Sequence, residues 1–127
     1  MAFRKRLASW YSNELSQIPG LVQPVQKDYA EHVYWMYTVL LPECGAETRD
    51  AVREFLEIRG VETRPVFYPM HLLPPYEEEP ARYPKATQIS ARGLNLPTHE
   101  LLTEADVAYI SEQLEAAIRS VRLSLCA

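Results

Sequence analysis

The chain has 127 residues, of which 47% are hydrophobic, 24% charged and 10% aromatic, with a formal net charge of -4; this is the make-up of one folded core, not of a disordered segment. Beyond Arg4-Lys5-Arg6 the basic residues are scattered, which argues against a surface that tracks nucleic-acid phosphates. No apolar run reaches the roughly eighteen residues of a membrane span, and the amino terminus lacks a signal-peptide core, so a cytoplasmic chain with neither a nucleic-acid nor a membrane partner is expected.

In chain order, "AFRKRLASWYSNELSQIPGL" repeats Phe3, Leu7, Trp10, Tyr11, Leu15 and Ile18 at helical spacing before Pro19-Gly20, predicting an amphipathic helix over 3–18. It starts without a preceding cap, as if continuing something longer. "HVYWMYTVLL", 32–41, is aromatic and β-branched with hardly a polar position, the pattern of a central strand covered on both faces. "TRDAVREFLEIRG" predicts a helix capped by Thr48, burying Val52, Phe55 and Leu56 and ended by Gly60. "VETRPVFY" follows as a second extended segment.

Residues 64–76, "RPVFYPMHLLPPY", carry four prolines among aromatic residues, too many for a helix or an inner strand. After the acidic turn "EEEP", a short helix is expected around "YPKATQISARG" and a brief strand at "LNLP". The last helix is capped by Thr103, with Asp106 at the reciprocal position, and its buried stripe is Val107, Ile110, Leu114, Ile118 and Val121. Helix, strand, helix, strand, short helix, strand, helix reads as one α+β domain over 1–127: a small, mostly antiparallel sheet with helices packed on one face.

Isolated motifs carry little chemistry. His32, His71 and His99 have no metal-ligand spacing, so no metal site is expected. No serine stands in a nucleophile elbow, and Gly45, Gly60 and Gly93 are too separate for a phosphate-cradling loop. Cys44 and Cys126 read as reduced structural thiols.

Taken together, "ASWYSNELSQIPGL", "HVYWMYTVLL", "TRDAVREFLEIRGVET", "GVETRPVFYPMHLLPPY" and "YPKATQISARGLNLPTHELLTEADVAYI" resemble, in order and over roughly residues 3 to 120, the C-terminal small domain of the DegT/DnrJ/EryC1/StrS family of sugar aminotransferases, perosamine-synthase-like members in particular. The resemblance implies an enzyme about three times this length, in which a large domain holds pyridoxal phosphate (PLP) on a Schiff-base lysine and transfers an amino group from glutamate to a nucleotide-linked 4-keto-6-deoxy sugar. Lys5, Lys27 and Lys85 match no such lysine, so no cofactor is expected on this chain alone, which should contribute substrate-binding and closure surface without being active by itself. By position, the resemblance makes His71 a contact to the sugar or its diphosphate, Arg64 a phosphate partner, and Tyr68 and Tyr76 hydrogen-bonding or stacking walls. It implies as partners the large domain, the nucleotide sugar and a further copy in a homo-oligomer. Thr87 stands where the family often has an acidic residue, and Asn95-Leu96-Pro97 where it often has Ser-Leu-Pro. The alternative is a free-standing, non-catalytic module that binds a sugar nucleotide or a protein, self-associating through Trp10 and Tyr11.

Overall fold

The computed structural model describes residues 1–42 and 45–126, so Cys44 lies outside the described residues. Helix α1 (Ala2–Leu15) buries Leu7, Ala8, Tyr11 and Leu15. It ends three residues before Ile18, and the chain turns through Gly20 at φ +77, a conformation glycine adopts without strain. Helix α2 (Ala46–Ile58) starts at an N-cap Gly45, not at Thr48; Ala46 and Glu47 are good helix formers, and the Glu47 charge suits the first turn. Its end is as predicted: the amides of Arg59, Gly60 and Val61 return to the carbonyls of Leu56, Glu57 and Leu56, with Gly60 at φ +77.

The sheet is antiparallel throughout, in the order β1 (Tyr37–Leu40), β3 (Gly93–Leu96), β2 (Arg64–Pro65). The central strand is therefore β3, and the segment 32–41 contributes only an edge. Two features shorten it. Tyr34 lies at φ +49, outside the extended region, and the Arg4 guanidinium holds the carbonyls of Tyr34 and Trp35 at 3.3 and 2.7 Å. Nor is β1 covered on both faces: Tyr37 and Val39 are buried while Thr38 and Leu40 are half-buried, the alternation of a sheet packed on one side. Strand β2 stops at two residues because Pro65 has no N–H to extend a ladder.

Helices α1, α2 and α4 (Glu104–Cys126) cover the other side of the core, where Tyr11, Leu56, Leu114 and Val107 meet Val39, Leu94 and Leu96. The reciprocal cap of α4 is formed: the Thr103 amide donates to Asp106 Oδ2 at 2.8 Å and the Asp106 amide to Thr103 Oγ1 at 3.2 Å; the Thr103 amide, and then the Thr103 hydroxyl donating at 2.7 Å, hold the Asp106 carboxyl below the usual carboxylate range. Helix α3 (Pro84–Arg92) is tied to α2 by Arg49, which is buried and donates from Nη1 to the Ser90 carbonyl at 2.6 Å. Tyr11 is wholly buried, with its hydroxyl donating to the Pro97 carbonyl at 2.8 Å. It is thus a core residue and not part of an exposed patch on α1. Among the described residues, no helix is long and apolar enough to cross a membrane.

Gly93 marks the tightest approach. A Cβ there would lie 2.2 Å from Val66 Cγ2 and 2.6 Å from the Ile89 carbonyl oxygen. Gly93→Ala is expected to cost about 1–3 kcal/mol or more in urea unfolding, and adding Val66→Ala should recover only part, because the Ile89 carbonyl remains.

Burial first, then the neighbouring Tyr37, pushes the Tyr11 hydroxyl well above the usual tyrosine range, and burial also raises Tyr37. Unfolded tyrosines ionise near pH ~10 while these two keep their protons, so stability is complete below that pH and falls above it. Tyr11→Phe should lose about 1 kcal/mol at neutral pH and show a shallower alkaline decline in urea midpoint.

Candidate functional site

The half-buried side of the sheet carries a polar row. Antiparallel register puts Thr38, Asn95 and Arg64 in one row across the three strands. Thr38 Oγ1 donates to Asn95 Oδ1 at 2.6 Å. Arg64 ends the row at the sheet edge, strongly exposed and 3.3 Å from Glu62 Oε1, an exposed pair too weak to fix the guanidinium.

An open groove of about 970 Å³ runs along this edge. Arg64, Asn95, Trp35, Phe67, Thr98 and Arg4 all line it. Trp35 and Phe67 are 62% and 70% exposed, so the groove offers flat apolar rings beside two guanidinium groups, a combination that suits a ligand with both a planar part and an anionic one. The Trp35 wall is built from behind: its carbonyl accepts from Arg4 and from Thr98 Oγ1 at 3.2 Å, the Tyr34 amide donates to His32 Nδ1 at 2.9 Å, and the His32 and Tyr34 rings stack at 4.1 Å. Lys5 pairs with Glu31 on the same segment, which lowers the Glu31 pKa.

Of the four expected site residues, only Arg64 lines the groove. Tyr68 and Tyr76 are exposed, at 70% and 57%, on the proline-rich segment that leaves β2. His71 lies inside that segment, only 7% exposed, with Nε2 at 2.9 Å from Thr87 Oγ1 and its ring 4.8 Å from that of Tyr83. The three glutamates 77–79 are exposed, and Glu78 is engaged by Arg82 and by the Tyr83 hydroxyl.

Arg4, Trp35, Asn95 and Phe67 escaped the sequence reading because only the tertiary fold gathers them. Arg49 was detectable: it stands three residues before Val52 and seven before Leu56, a cation on the apolar stripe of its helix.

Residues 1–115 match the model of the DegT/DnrJ/EryC1/StrS aminotransferase family. The chain is 41% identical over 120 residues to a GDP-perosamine synthase of Caulobacter vibrioides, covering 93% of this chain and 32% of that protein. It superposes on an aminotransferase, TlmJ, from Streptoalloteichus hindustanus with a TM-score of 0.81 at 29% identity, over 94% of this chain and 32% of the other. A sugar aminotransferase-like protein of Streptococcus pneumoniae, Spr1654, shares the fold at a TM-score of 0.91 and 21% identity, over 99% of this chain and 33% of that one. The chain thus spans about a third of the length of the curated relatives it matches.

The Arg4 clamp makes its own prediction. Arg4→Met keeps the apolar stem but frees two carbonyls, and amide exchange at Trp35 and Met36 should accelerate about ten-fold while exchange in α4 stays unchanged.

Proposed function

The chain belongs to the DegT/DnrJ/EryC1/StrS aminotransferase family, and from that premise we propose that it serves as the C-terminal small domain of a PLP-dependent nucleotide-sugar aminotransferase. In this reading residues 1–127 act as one domain. They close one side of the substrate site and leave amino transfer from glutamate to a 4-keto-6-deoxy sugar to a large domain. The observation that carries the reading is the groove, where Arg64 and two exposed aromatic rings stand at the edge of the sheet, between it and residues of α1 and α4.

The amines of this chain do not fit a Schiff base. Lys5 is paired with Glu31, Lys27 and Lys85 are exposed, and none of the three lines the groove. PLP is therefore assigned to the large domain, and no step through it is derived from these residues. What these residues supply is binding. The Arg64 guanidinium has only a weak exposed partner in Glu62 and is free to exchange it for a phosphate, where a charge-assisted, two-pronged bond is stronger. Trp35 and Phe67 offer faces on which a base can stack, and Tyr68 and Tyr76 offer hydroxyls beside the sugar. The rigid prolines of 65–75 lower the ordering cost of presenting them. A GDP-linked sugar is the substrate this reading favours, from the likeness to GDP-perosamine synthases. A further copy in a homo-oligomer is part of the same proposal.

Reconstitution tests it. The Caulobacter vibrioides GDP-perosamine synthase cut back to remove the third that this chain matches should be inactive, and co-expression with this chain should restore amino transfer to the GDP-linked sugar. Arg64→Ala in the restored enzyme should lower kcat/KM by about ten-fold or more, mostly through KM. Failure of the intact chain to restore activity, with both pieces folded and associated, contradicts the proposal.

A further inference from the structure

Between residues 67 and 83 the chain makes three single-turn 3-10 helices, Met70–Leu72, Pro74–Tyr76 and Pro80–Arg82. It pairs with no strand over that length. Of these seventeen residues only His71 is buried. A surface segment this long usually needs several inward side chains to fix its path; here a single imidazole serves.

Its hydrogen bonds are ordered by valence. Thr87 has one hydroxyl proton, and its Oγ1 donates to the Tyr83 carbonyl at 2.9 Å, with the Pro80 carbonyl at 3.3 Å. The His71 contact at 2.9 Å must then run from Nε2–H to the hydroxyl oxygen, so the ring carries its proton on Nε2. The result is a relay, imidazole N–H to hydroxyl to main-chain carbonyl, that fastens the middle of the strap to the first turns of α3. The ring face packs on Tyr83 at 4.8 Å, and the His71 carbonyl accepts from the Glu78 amide at 3.0 Å, closing the strap on itself. Tyr68 lies three residues before this anchor and Tyr76 five after it.

We infer that His71 is a positioning residue, which holds the strap through Thr87 and so sets where Tyr68 and Tyr76 stand, and is not itself a ligand contact. This rests on the reading of the strap as a wall of the substrate site, but its test does not. Nitrogen-15 spectra of the imidazole in the intact chain should show an Nε2–H ring. Limited chymotrypsin digestion should cut the strap of Thr87→Val about five-fold faster than wild type, the fold-change of one ordinary hydrogen bond, while Thr87→Ser returns to the wild-type rate. The urea midpoint of α4, followed in parallel, separates loosening of the strap from general unfolding. An Nδ1–H ring in the wild-type chain overturns the inference even if Thr87→Val does not fold, and so does strap cleavage in Thr87→Val at the wild-type rate. Neither measurement involves a ligand, so their outcome is independent of the functional reading, whose own failure shows in the reconstitution assay.

Discussion

The edge at which Arg64 stands and from which the proline-rich strap departs is placed by the contact between Gly93 and Val66. Gly93 opens β3, the strand to which both other strands pair, and the absence of a side chain there lets Val66 come within a distance no Cβ could share. The Val66 amide then reaches the Gly93 carbonyl at 3.4 Å, which fixes the end of β2 and the direction in which the proline-rich strap departs. Arg64, two residues earlier, is held at the sheet edge by the same register. The place of Arg64 at the groove and the departure of the strap are consequences of one strand with one small residue in it.

The helices and their order were legible because their signals are local. Thr103 with Asp106, Gly60 after Arg59, and the stripe from Val107 to Ile118 each need only a few neighbouring residues to be recognised, and each stands as read. Strand hierarchy was not, because an apolar run cannot say who its partners are. Segment 32–41 looks like an inner strand by composition, yet a bend at Tyr34 and the grip of Arg4, thirty residues distant in sequence, shorten it to an edge strand and make Trp35 and Met36 part of a groove wall. Helix α1 misled in a similar way. Tyr11 could be read as a sticky ring on an unpartnered face, whereas its hydroxyl has a partner at Pro97, eighty-six positions away.

The candidate site divides along the same line. Arg64 is recognisable beside a proline after a strand pattern, and its exposure suits a phosphate partner. His71 also stands out in the sequence, but its burial and its bond to Thr87 make it a support. The Thr87 hydroxyl gives this chain an uncharged relay. The exposed aromatic rings around the groove and strap make an apolar face of the kind that invites a covering surface. In the proposed reading, that face is the one a large domain covers.

The central claim is that the groove at the sheet edge is where the rest of an aminotransferase sits. Hydrogen–deuterium exchange on this chain, alone and bound to the truncated large domain of the Caulobacter vibrioides relative, tests it most directly. The account predicts new protection confined to residues 35–36, 64–68 and 98–99. Protection centred instead on the outer surface of α4, with the groove exchanging as before, would contradict it.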